Sequence, residues 1–207
     1  WFESGSMPFA QFHYMGDETT PDGKRFVKNF PADFIAEAVD QTRGWFYTML
    51  ILSVGLFDRA AYKSVITTGL ILAEDGQKMS KKLKNYPDPM EVAEKYGADA
   101  LRFYMLNSPV VRGEDLRFSM LGVDEVFKKI TMRLDNVRAF YAMYSEGHII
   151  PRTIGERSAM LDKWIVARWQ ETHAEVTHHL DTHDLDNAAR LIAPFLDDLS
   201  TWYIRRS

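Results

Sequence analysis

Three apolar runs decide the fold: Asp33-Phe34-Ile35-Ala36-Glu37-Ala38-Val39, then Trp45-Phe46-Tyr47-Thr48-Met49-Leu50-Ile51-Leu52-Ser53-Val54-Gly55-Leu56-Phe57, then Val65-Ile66-Thr67-Thr68-Gly69-Leu70-Ile71-Leu72-Ala73. The first has the length of a buried strand, and polar Asp40-Gln41-Thr42 precedes the second as a helix N-terminus does. The third is rich in β-branched residues and ends at the turn signal Glu74-Asp75-Gly76-Gln77, so it reads as a second strand. Strand, helix, strand is a crossover unit, which produces a parallel sheet with ligands outside the carboxyl ends of its strands. Those ends carry Glu37 to Gln41 and the segment after Ala73.

On either side of this unit the pattern changes. Residues 1–30 mix aromatics with Gly5, Pro8, Gly16, Pro21 and Gly23, and Pro21-Asp22-Gly23-Lys24 has the residues of a tight turn, so irregular or hairpin structure is expected there. Past Pro89 the sequence is helical with little interruption, over 90–96, 99–107, 123–144, 158–180 and 185–205. Gly147 to Gly155, with Pro151 between, is the best linker. The expected division is 1–118, a helical connector over 119–150, and a helical domain from 151 to 207; no internal repeat is visible.

The chain has 207 residues, 46% hydrophobic and 13% aromatic, enough apolar surface to offset chain entropy and exclude disorder. It has no cysteine, which excludes a disulfide scaffold, a thiolate zinc site and a cysteine nucleophile, and an intracellular setting fits best. Net charge is −4, with 14 basic against 16 acidic residues in 1–118 and 11 against 13 in 119–207, so neither part is a basic nucleic-acid module in bulk. The longest apolar run, Trp45 to Phe57, falls short of the ~20 residues that cross a bilayer. A start at Trp1 and an end inside a helical pattern read as an excised piece.

Lys78-Met79-Ser80-Lys81-Lys82-Leu83-Lys84 places four ammonium groups within seven residues, after a strand and a flexible turn. Such a loop can oppose the charge that develops as pyrophosphate leaves a triphosphate; on charge alone it also reads as a solvated basic loop. Lys78-Met79-Ser80-Lys81-Lys82 resembles the KMSKS signature of the class I aminoacyl-tRNA synthetases, departing at Lys82, where that signature has serine. Glu37-Ala38-Val39-Asp40-Gln41-Thr42-Arg43-Gly44-Trp45-Phe46 resembles the EGxDQxRGWF segment of the isoleucyl enzymes, and Trp1-Phe2-Glu3-Ser4-Gly5-Ser6 their WFDSGS segment. Asn85-Tyr86-Pro87-Asp88-Pro89, Tyr96 to Arg102 and Leu161 to Ile165 are similar to the same family, and the resemblance thins after about Phe118.

The resemblance implies an α/β fold class, namely the C-terminal half of a Rossmann-like class I synthetase catalytic domain followed by the α-helical bundle that binds the anticodon. It implies activation of isoleucine to isoleucyl-adenylate with ATP and Mg2+ as substrate, and transfer to tRNA(Ile) in the cytoplasm, with no protein-bound metal in this stretch. Glu37 is implied at the aminoacyl-adenylate, with Asp40 and Gln41 beside it and with Trp1 and Trp45 shaping the pocket for the aliphatic side chain. Lys78, Ser80 and Lys81 are implied in catalysis at the phosphates, and Lys78, Met79 and Lys81 in ATP binding.

The family's other signature, HIGH, is absent from these residues, so the expected partner is an upstream half of the same catalytic domain, and the chain alone is expected to be inactive. Ala38 stands where the family usually has glycine; this and the missing half motivate an alternative reading as a non-catalytic tRNA-binding relic. A valyl or leucyl synthetase is a third reading. His179 and His183 have the i, i+4 spacing of a helical zinc pair, but flanking Asp181, Asp184 and Asp186 favour a solvated helix face.

Overall fold

The computed structural model describes residues 1–80, 82–145 and 159–207. They form two compact units, one of Trp1–Leu70 with Val111–Asp115 and one of Ile71–Val110 with Leu116–Ser207. The expected linker at 147–155, Ser158 and Lys81 lie outside the described residues.

In the first unit, two short helices, α1 (Phe2–Gly5) and α2 (Met7–Ala10), are followed by α3 (Pro21–Asn29), β1 (Ala32–Ala38), a 3-10 turn (Val39–Arg43), α4 (Trp45–Phe57) and β2 (Tyr62–Thr68). β1 and β2 pair in parallel with Ala32 opposite Tyr62 and Ala38 opposite Thr68, as a strand-helix-strand crossover requires. The core is aromatic: Phe26, Phe30, Ile35, Phe46, Met49 and Ala61 are buried, and the rings of Tyr14 and Phe26 stack at 4.2 Å. α4 ends at Asp58 in a left-handed conformation, and the buried Ser53 hydroxyl donates to the Arg59 carbonyl at 2.8 Å. Leu50, Ile51, Val54 and Leu56 on α4, with Phe34 and Val65 on the strands, are exposed.

Two sequence expectations need correction here. The Pro21-Asp22-Gly23 stretch is the first turn of α3, not a hairpin: Pro21 occupies a position that needs no N–H donor, and Thr20 Oγ1 accepts the Gly23 N–H at 3.0 Å. Phe26 and Phe30, four residues apart, bury this helical stretch in the core. The second strand was expected over 65–73, but β2 starts at Tyr62 and stops at Thr68. At Gly69 the 113–115 segment passes so close that a Cβ would lie 1.9 Å from the Glu114 carbonyl oxygen, and the Leu70 N–H donates to Asp115 Oδ1 at 3.0 Å.

In the second unit, β3 (Ile71–Leu72) pairs in parallel with β4 (Leu116–Arg117). Between them in sequence lie α5 (Pro89–Tyr96) and α6 (Ala98–Leu106), the first capped by Asp88 Oδ1, which accepts the Met90 N–H, and closed by Gly97 at φ +85°. After β4, α7 (Met120–Val126) runs through a π-turn into α8 (Met132–Tyr144). Beyond these come α9 (Met160–Asp181), α10 (Leu185–Arg190), α11 (Ile192–Asp197), a second π-turn and α12 (Ile204–Arg206). Val92, Tyr96, Ala100, Phe118 and Val123 form its buried core. The helices are laced by Arg133 to Asp197 at 2.8 Å, Arg168 to Asp198 at 3.0 Å, and the Tyr203 hydroxyl, which donates to Asp162 at 2.9 Å. Among the described residues no helix is long and apolar enough to cross a membrane.

Candidate functional site

The first cluster stands at the carboxyl end of β1. Glu37 pairs in register with Thr67, one residue before the end of the strand, and its side chain is exposed. Ala38 follows at φ −74° and ψ 160°, ordinary extended backbone that alanine adopts freely, so the methyl group brings no conformational cost. The chain then turns through Asp40 and Gln41. Gln41 Oε1 accepts the Trp45 N–H at 3.0 Å, satisfying a first-turn amide of α4, while its Nε2 points to Asp40 Oδ2 at 3.5 Å.

α1 is fitted against α4 at the same place. A Cβ on Gly5 would lie 3.0 Å from the Thr48 backbone carbon and 2.9 Å from Leu52 Cδ1, so only glycine permits this approach. The Trp45 indole N–H donates to the Ser4 carbonyl at 2.9 Å, which fixes the ring by its polar edge. Trp1 lies with its ring over Gly44, where a Cβ would come within 3.1 Å of Cη2 and Cζ3, and it is otherwise 74% exposed. Trp1, Gln41 and Trp45 are thus brought together around the α4 N-terminus, with Glu37 and Asp40 on the exposed segment leading into it.

The second cluster is the lysine-rich loop, in the other unit. Leu72 and Lys78 form an antiparallel bridge, the Ala73 N–H donates to the Gln77 carbonyl at 2.9 Å, and Gly76 takes φ +82° in the turn between them. Asp75 Oδ1 accepts the Gln77 N–H at 2.9 Å, so the turn predicted from Glu74 to Gln77 is built by its own side chain. Lys78, Lys82 and Lys84 are exposed and Ser80 is half-buried. Met79 turns the other way, into an apolar cavity of about 130 Å³ that it lines with Tyr86, Pro87, Val92, Leu101 and Phe118. Its side chain anchors the loop, with the exposed Lys78 before it and the half-buried Ser80 after it.

The family model for tRNA synthetases class I (I, L, M and V) matches residues 1–118, more than half of the chain. The chain belongs to this family. The model for the anticodon-binding domain of tRNA ligase matches residues 162–207. Over its whole length the chain is 48% identical to the isoleucine–tRNA ligase of Protochlamydia amoebophila (strain UWE25), of which it covers 20%. Over 99% of its length it is 47% identical to that of Bdellovibrio bacteriovorus (strain ATCC 15356 / DSM 50701 / NCIMB 9529 / HD100), covering 19%. The chain therefore spans about a fifth of the length of these relatives. Among solved structures, it superposes with a TM-score of 0.68 on Mycobacterium tuberculosis methionyl-tRNA synthetase in complex with methionyl-adenylate (21% identity; 93% of this chain, 37% of that one). It superposes at 0.67 on the Agrobacterium radiobacter K84 LeuRS-tRNA-LeuAMS ternary complex (19% identity; 86% and 23%). At these identities the likeness is one of fold, and it bears out the α/β class with a helical domain.

Within this synthetase segment, three residues that sequence reasoning assigned no part are placed by the structure. Gly5 and Gly44 make the close approaches that seat Trp45 and Trp1, and their signal was present in the two glycine-containing motifs. Asn85 holds the loop backbone: its Oδ1 accepts the Ser80 N–H at 2.9 Å and its Nδ2 donates to the Lys78 carbonyl at 3.2 Å. The histidine pair is not on one helix, because α9 ends at Asp181 and His183 is left-handed at φ +59°; His179 Nδ1 instead lies 2.9 Å from Asp184 Oδ2. Asp186, expected on a solvated face, is buried and 3.2 Å from Arg190. No group of three potential metal ligands occurs among the described residues.

Proposed function

We propose that this chain is part of an isoleucine–tRNA ligase, in which isoleucine attacks the α-phosphate of MgATP, pyrophosphate leaves, and the isoleucyl group passes to the terminal adenosine of tRNA(Ile) in the cytoplasm. The observation that carries the proposal is the 47–48% identity to isoleucine–tRNA ligases along the whole chain. In this reading residues 1–118 close the catalytic domain, 119–150 connect, and 151–207 begin the helices that bind the anticodon. An upstream half of the catalytic domain completes the active site, and the exposed apolar side chains of Val65, Leu50 and Val54 support a further neighbour for this unit.

Each part of the reaction then falls to a named side chain. Glu37, at the end of β1, accepts hydrogen bonds from the ammonium or ribose of the adenylate, with Asp40 and Gln41 beside it. Trp1 and Trp45 present flat apolar faces to the branched side chain of isoleucine. Lys78 and Lys81 neutralise the charge that develops on the departing pyrophosphate, Ser80 donates to a phosphate oxygen, and Met79 seats the ATP-binding loop that carries them. No covalent nucleophile is needed, because positioning and phosphate electrostatics supply the acceleration.

The test is isoleucine-dependent exchange of pyrophosphate into ATP by the full-length enzyme. Exchange is expected with isoleucine, and Lys81→Ala is expected to lower it by about 10²- to 10³-fold, the scale of one lost electrostatic contact in a transition state. Absence of exchange with isoleucine, or an undiminished Lys81→Ala enzyme, overturns the reading.

A further inference from the structure

The function proposed above uses the side chains of the 78–84 loop and leaves Asn85 without a part, yet Asn85 holds that loop together. A carboxamide offers one acceptor and two donors on a single rigid plane. Asn85 uses both kinds on the loop backbone, accepting the Ser80 N–H at 2.9 Å and donating to the Lys78 carbonyl at 3.2 Å. One side chain thereby fixes the peptide groups on both sides of Met79. The same stretch is closed a second time by the Lys84 N–H, which donates to the Ser80 carbonyl at 2.9 Å, with Lys84 held at φ +48°. Asn85 is followed directly by Tyr86 and Pro87, which line the apolar cavity that receives Met79. The carboxamide therefore ties the loop backbone to the wall on which the loop is anchored.

We propose that Asn85 is a positioning residue for nucleotide activation: it holds Lys78 and Ser80 at fixed places on the cavity wall, so that ammonium and hydroxyl meet the phosphates without a search. The proposal rests on the reading of this loop as triphosphate-binding. Without the carboxamide, the Ser80 N–H and Lys78 carbonyl turn to water and the loop backbone regains conformational freedom, which must be lost again in every transition state. Aspartate keeps the acceptor for Ser80 and lacks the donor for Lys78. The isoleucine pocket, assigned to Trp1 and Trp45 in the other unit, is untouched by either change.

The experiment uses the full-length enzyme with Asn85→Ala and Asn85→Asp, measuring pyrophosphate exchange against both ATP and isoleucine, thermal stability, and hydrogen exchange of peptides covering 76–86. Asn85→Ala is expected to lower the exchange kcat about tenfold or more while KM for isoleucine stays within about twofold, and to speed Ser80 amide exchange about tenfold. Asn85→Asp is expected to keep part of the Ser80 protection and still lose kcat; it carries the same readouts should Asn85→Ala fail to fold. Parental kcat in the variants, parental Ser80 protection in Asn85→Ala, or a kcat loss matched by a general fall in stability each overturns the positioning role. If the unsubstituted enzyme shows no exchange, the functional reading falls and takes the role of Asn85 with it. If it exchanges and the variants do so equally well, only the role of Asn85 falls.

Discussion

Gly5→Ala is the smallest change that tests how the first cluster is built. The added methyl would stand 3.0 Å from the Thr48 backbone carbon, 3.1 Å from Thr48 Cβ and 2.9 Å from Leu52 Cδ1, whereas ordinary contact begins at 3.4 Å. Leu52 can change rotamer, but the Thr48 backbone belongs to α4 and cannot, so α1 must retreat by about 0.4 Å (3.4 − 3.0). Overpacking of this kind costs ~1–3 kcal/mol. Against it stands the helix preference of alanine over glycine, ~0.5–1 kcal/mol, so the net loss is about 1 kcal/mol. Local opening of α1 and of the first turns of α4 then becomes about fivefold more frequent, which hydrogen exchange of the full-length protein reads directly over peptides 1–12 and 40–52. The bond from the Trp45 indole to the Ser4 carbonyl, 2.9 Å in the parent, lengthens, and on the function proposed above KM for isoleucine is expected to rise. Adding Leu52→Ala is expected not to restore protection, since the backbone contact remains. Slower or unchanged exchange in Gly5→Ala would refute the reasoning, because helix preference would then have outweighed a contact that was not tight.

Thr20→Ala removes the acceptor for the Gly23 N–H and is expected to cost ~1 kcal/mol, read as about fivefold faster amide exchange in α3; no change would mean that Pro21 and the aromatic core suffice to start this helix. Burial pushes the Tyr104 phenol above its ordinary value of about 10, with the Ser119 N–H opposing, and burial followed by Asp162 does the same to Tyr203. A group with a raised folded pKa contributes stability that is complete below the unfolded pKa and is lost as pH rises through the folded one. The contribution of these two tyrosines to the stability of the second unit is therefore expected to be lost above about pH 10, with the loss blunted in Tyr203→Phe, and phenolate absorbance in which every tyrosine titrates together near pH 10 would count against it.

What the sequence made legible was whatever depends on near neighbours. α4 was read to the residue because a polar turn precedes Trp45 and Asp58 follows Phe57, and β1 was placed within one residue. α3 was misread although its signals were local: Thr20, Pro21 and the Phe26 to Phe30 spacing outweigh Gly23, but Pro-Asp-Gly serves a turn and a helix start equally well until burial chooses. The break at Gly69 could not be read, because it is set by Glu114 and Asp115, 45 residues away, for Leu70. The site follows the same division. The charged and aromatic residues of the proposed site are those that the motifs name, whereas the contacts that hold the backbone beside them are made by glycines and an amide. Gly5 matters only because Thr48 lies behind it, and Asn85 only because a left-handed Lys84 brings the chain back to Ser80. A lysine in a loop acts by where its charge stands, and the backbone that carries Lys78 is held by Asn85, a neighbour without charge.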